Sequence, residues 1–92
     1  MLSKVYDLLK KYGYEKEVST TDVLSIANFF KRLDHRHDIQ KENYKVGEGL
    51  KRLGFEETEF KDWMLEDIVV ELETYEDDEM ILLFFVIWED TN

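Results

Sequence analysis

The hydrophobic pattern of this chain is dominated by one uninterrupted run, Met80-Ile81-Leu82-Leu83-Phe84-Phe85-Val86-Ile87-Trp88. A run of β-branched, aromatic and aliphatic residues this short predicts a strand buried on both faces. It falls well below the ~20 apolar residues that a membrane-spanning helix needs. Upstream the rhythm is helical. Val5, Leu8, Leu9 and Tyr12 form one stripe, with Ser3 placed to cap it and Gly13 to stop it. Tyr14 to Val18 alternates and predicts a short strand. After a capping stretch at Ser19-Thr20-Thr21-Asp22, residues Val23, Ile26, Ala27, Phe30 and Leu33 predict a second helix over 21–33.

The polar stretch Asp34-His35-Arg36-His37-Asp38 reads as a connector. A third helix is expected over 41–53, with Tyr44, Leu50, Leu53 and, more weakly, Val46 facing inward, and Gly54 closing it. Gly47 lowers helix stability by about 1 kcal/mol relative to Ala, so its place there suggests a close approach by another element. Phe60, Trp63, Met64 and Ile68 fit either a turn or two of helix, the reading favoured here, or the approach to a strand over 67–75. Glu76-Asp77-Asp78-Glu79 then makes the turn of a hairpin.

With Asp77 and Asp78 as the loop, Ile68, Val70 and Leu72 share a face with Leu83, Phe85 and Ile87, and this face is expected to cover the helices. The other face sets Val69, Glu71, Glu73 and Tyr75 beside Met80, Leu82, Phe84, Val86 and Trp88. Either residues 14–18 or 58–66 fold over this mixed face, or it meets a partner. Monomers rarely leave contiguous apolar patches beyond a few hundred Å², so the partner is favoured, a homodimer first.

Charge sharpens that picture. The net charge is −10, and it is unevenly placed: residues 55–92 carry fourteen Asp and Glu against a single Lys. Residues 31–54 are net basic, and include Lys45, Lys51 and Arg52. Overall acidity argues against loose nucleic-acid binding, which relies on cations at phosphate. With no cysteine there are no disulfides and no thiolate metal sites. No basic segment followed by an apolar one opens the chain, so a cytoplasmic protein (host cytoplasm if viral) without a membrane partner is expected.

Chemistry is sparse. His35 and His37 between Asp34 and Asp38 have the donor types of a divalent-metal site, but no second cluster completes four ligands, and a solvated loop is the expectation. No Gly-rich phosphate loop and no nucleophile with a matched base is present. Neither a cofactor nor an enzymatic activity is expected.

The stretch Asn43-Tyr44-Lys45-Val46-Gly47-Glu48-Gly49-Leu50-Lys51-Arg52-Leu53-Gly54-Phe55 resembles the recognition-helix region of winged helix-turn-helix domains in phage and plasmid replication proteins. The resemblance covers residues 20–55. The predicted elements make one α+β domain over 1–92, three helices followed by a long antiparallel β-hairpin, in the order of such winged-helix domains, and the resemblance implies that Lys45, Lys51 and Arg52 face phosphates. The chain then departs from that pattern, placing Glu56, Glu57 and Glu59 where such domains continue with basic residues. DNA binding by this helix, as a transcription regulator, is therefore the alternative. The favoured reading is an acidic interaction module in which Glu71, Glu73, Glu76, Asp77, Asp78 and Glu79 dock onto a basic site of a nucleic-acid-handling protein. In size and charge the chain resembles the accessory and anti-defence inhibitors of phages and mobile elements, anti-CRISPR and anti-restriction proteins among them.

Overall fold

The computed structural model describes residues 1–17 and 25–90. Two helices, α1 (Leu2–Lys11) and α2 (Asp38–Arg52), accompany six strands: β1 (Glu15–Lys16), β2 (Ser25–Leu33), β3 (Glu56–Glu57), β4 (Trp63–Leu65), β5 (Ile68–Glu76) and β6 (Ile81–Glu89). The strands form one sheet in the order β1-β2-β6-β5-β4-β3, antiparallel throughout. Since β2 lies towards one edge and β3 at the other, α2, which joins them, carries the chain from one side of the sheet to the other.

The α+β class holds, but the arrangement of three helices and a hairpin does not. Residues 25–33, expected in the second helix, form the nine-residue strand β2. The physical reason is visible in Phe29. A helical stripe through Ile26, Ala27, Phe30 and Leu33 leaves Phe29 outside, whereas the strand period puts Ala27, Phe29, Lys31 and Leu33 on one face and seals Phe29 completely. The long apolar strand β6 also needs a hydrogen-bonded neighbour on each side, and β2 supplies the second: Phe29 pairs with Phe85, Phe30 with Phe84 and Leu33 with Ile81. The expected cap at 19–22 lies outside the described residues.

Three smaller corrections follow. The favoured helical turns at 58–66 give way to the strand option, with β3, the loop and β4 forming a small hairpin. Helix α2 begins at Asp38 instead of Lys41, and Tyr44 points outward at 71% exposure, while Val46 faces inward as expected and is fully buried. Ser3 lies inside α1, whose cap position is Met1 and lacks a side-chain hydrogen bond. Gly13 and Gly54 both adopt positive φ just past the two helices, as the sequence suggests.

Both helices lie on one face of the sheet. Val5 and Leu9 of α1 and Val46 and Leu50 of α2 share a single core with Phe29, Val70, Leu83, Phe85 and Ile87. Gly47 is what lets α2 settle: a Cβ there would sit 2.5 Å from Cζ2 of the buried Trp63. Glu42 is the buried charged residue of this layer. Its Oε1 accepts from the Tyr14 hydroxyl at 2.9 Å and from Lys31 Nζ at 3.0 Å, and Lys45 Nζ stands 3.2 Å from Oε2.

Candidate partner-docking surface

Strand periodicity that buries Leu83, Phe85 and Ile87 under the helices turns the alternate residues of β6 to the opposite face. There Leu82, Phe84, Val86 and Trp88 run down the centre of the sheet. The registers give each residue its neighbours: Arg32–Leu82–Tyr75, Phe30–Phe84–Glu73, Asn28–Val86–Glu71, and Trp88 beside Val69, which is in turn beside Met64. Among the described residues, no helix or strand lies over this face. Phe30, Met64, Val69, Leu82, Phe84 and Trp88 are all half-buried and none joins the helix-side core. Val86, walled in by its neighbours, is buried. Phe30 and Phe84 stack obliquely across the strand pair with centroids 6.1 Å apart.

The hairpin differs from its expected geometry by two residues. Glu76 pairs with Ile81, not Glu79, so the loop is Asp77–Met80. A shift of two leaves every side chain on the same face. Met80 accordingly leaves the strand and sits in the turn, off the ridge formed by the other four apolar residues. The turn is held by Asp77, whose Oδ1 accepts from the backbone N–H of Glu79 at 2.8 Å and of Met80 at 2.9 Å. These bonds to the charged form hold its carboxyl below the usual aspartate range.

The six expected docking carboxylates are therefore not one cluster. Glu71 and Glu73 stand on the helix-free face, on β5 beside the apolar ridge. Glu71 Oε2 accepts from the Trp88 indole at 2.8 Å, and Glu73 is exposed. Glu76 has the opposite strand parity and lies 3.7 Å from the Arg36 guanidinium. Asp77 is engaged in the turn, with Asp78 and Glu79 exposed beside it. A shallow cleft of about 270 Å³ at this tip is lined by Arg32, Asp34 and the turn carboxylates.

Sequence reasoning missed Phe30 and Arg32 as members of the surface because it placed both in a helix. The adjacent pair Phe29-Phe30, one ring for each side of a pleated strand, was the available signal. The basic residues of the alternative reading are spread out. Lys45 pairs with Glu42 and Lys51 with Glu48 at 3.4 Å. Arg52 lines, with Lys4 and Lys11, a groove of about 340 Å³ between α1 and α2. His35 and His37 are exposed and stack on each other with centroids 5.3 Å apart. Among the described residues, no group of three His, Cys, Asp or Glu side chains is placed to hold a metal ion, and no helix is long and apolar enough to cross a membrane.

No protein-family model, curated protein or solved structure matches this chain.

Proposed function

We propose that this chain is a small, non-enzymatic interaction protein whose acidic half docks onto a basic surface of a protein partner, as a nucleic-acid mimic does. The partner class is a nucleic-acid-handling protein, whose phosphate-binding site presents the required cations, and the outcome is its inhibition. One observation carries this reading: fourteen carboxylates against Lys61 alone over residues 55–92, with Glu73, Asp78 and Glu79 exposed on β5 and its turn. The ordinary role of such charge is solubility and protection of sheet edges, and β3, with Glu56 and Glu57 at the sheet edge, fits that role. Glu71 and Glu73 do not, because β5 is an interior strand and they border an apolar ridge. Complementary potentials accelerate encounter and select the partner.

The DNA-reading alternative loses its frame. Helix α2 follows a strand, not a first helix, and of Lys45, Lys51 and Arg52 the first two are paired with carboxylates of the same helix.

Capture on the immobilised chain tests the proposal. A basic, nucleic-acid-handling protein should be retained at low ionic strength and be displaced by its own nucleic acid. Retention indifferent to salt and to competing nucleic acid would refute an electrostatic dock.

A further inference from the structure

We infer that the helix-free face of the sheet is the seat for a cationic amphipathic helix of the partner, lying along β6. This deepens the proposed function and rests on it.

The face has two parts with different chemistry. Its centre is an apolar ridge, Leu82, Phe84, Val86 and Trp88, widened on one side by Phe30 of β2. Beside it, β5 provides a bank of carboxylates, Glu71 and Glu73. The opposite face of the same sheet shows what covers such a surface: two amphipathic helices with Val5, Leu9, Val46 and Leu50 pressed against it. Antiparallel sheets commonly leave one face to water with polar side chains on it; here that face carries an apolar ridge, which a helix would bury as a third layer.

Charge selects the occupant. Two copies of this chain facing each other would bring carboxylate-bearing surfaces together on molecules of net charge −10 each. Arg32 stands on the β2 side of the ridge beside Leu82, so a helix whose cations lie along its β5 border, facing Glu71 and Glu73, meets no such opposition. Spacing agrees as well. Glu71 and Glu73, two residues apart on a strand, are separated by about 6.6 Å, and cations at i and i+4 of a helix by about 6 Å along its axis. The Trp88 indole already holds Glu71 through Oε2, which fixes the carboxylate at the edge of the ridge.

The test is calorimetry on the intact chain with three synthetic peptides. The first is an 18-residue Leu/Lys sequence patterned as an amphipathic helix; the second has the same composition shuffled to destroy the stripe; the third is the patterned sequence with Glu for Lys. The first should bind at least about tenfold more tightly than the other two. Phe84→Ser should weaken it by about tenfold or more, as loss of a central aromatic anchor does. Glu73→Lys, at an exposed position where folding is not at stake, should weaken it about fivefold. Glu57→Lys at the sheet edge should leave it unchanged.

Equal binding of the patterned and shuffled peptides, both salt-sensitive, overturns the helix seat while leaving an acidic dock elsewhere on the surface. No binding of either cationic peptide overturns both readings. A chain that light scattering shows to be a dimer, and that binds the peptide only as it dissociates, assigns the face to a second copy and overturns the inference.

Discussion

Glu42 offers the most direct physical test of how this fold is held together. It is 5% exposed, yet three donors converge on it from three parts of the chain: Tyr14 just before β1, Lys31 on β2 and Lys45 on α2 itself. Replacing it with Ala leaves the buried Tyr14 hydroxyl without its acceptor, at a cost of about 1–3 kcal/mol. The two lysines contribute less. Their side chains keep 28% and 39% exposure, so each pair counts at about 1 kcal/mol or below. The expected loss for Glu42→Ala is thus about 2–4 kcal/mol, a large share of the ~5–14 kcal/mol typical of a chain this size. Glu42→Gln retains an acceptor for Tyr14 and gives up only the charge, so it should cost about 1–2 kcal/mol.

Urea unfolding followed by circular dichroism reads both as shifts in midpoint at constant slope. If the two variants lose equally, or Ala loses less than about 0.5 kcal/mol, the network does not hold the layers together in the way described.

The same residue fixes the direction of a pH effect. Burial pushes the Glu42 carboxyl up, but hydrogen bonds from Lys31, Tyr14 and Lys45 outweigh it and hold the group below the usual glutamate range. A lowered folded value means the stabilisation is fully present above the unfolded pKa of about 4.3. It is lost as the pH falls through the folded value. The stability gap between the native chain and Glu42→Gln should therefore be widest at neutral pH and close in acid.

Two other predictions concern local geometry. Gly47→Ala and Gly49→Ala gain the same helix propensity, about 1 kcal/mol. At Gly47 the new methyl meets the rigid, buried indole of Trp63, whereas at Gly49 it meets the terminal methyls of half-buried Leu8, 2.7 Å away but able to turn aside. Thermal melts should show Gly47→Ala less stable than Gly49→Ala by about 1–3 kcal/mol; equal melting would contradict the packing of α2 on Trp63. Asp77→Ala should lower the melting temperature and Asp77→Asn should restore most of it, because Asn can still accept from the Glu79 and Met80 amides. In the native chain those two amide resonances should titrate with a midpoint below the ordinary aspartate range, and a midpoint within that range would rule out the turn geometry.

What could be read from the sequence depended on whether a pattern was local. The β5–β6 hairpin and its two faces were legible because alternation and a nine-residue apolar run identify strands without outside help. Helix α2 was legible from its own stripe, with Val46 inward as expected, though Tyr44 points outward where Gly47 is presented to Trp63. Strand β2 was misread because residues 25–33 satisfy a 3.6-residue stripe and a 2-residue alternation at once. The decision came from β6, fifty residues away, which needed a pairing partner. Lys31 deepened the ambiguity: a charge on the inner face is explained by Glu42 on α2 and by the Tyr12 carbonyl, which the local pattern cannot show. The carboxylates were countable from the sequence, but their division between face, edge and turn depended on the register.

The proposed recognition of a cationic partner by the acidic sheet face is measured most directly by the salt dependence of that complex. With the captured partner, the dissociation constant should rise steadily with ionic strength, and Glu73→Lys should flatten that dependence. A constant that stays level from low to high salt, unchanged by Glu73→Lys, would contradict it.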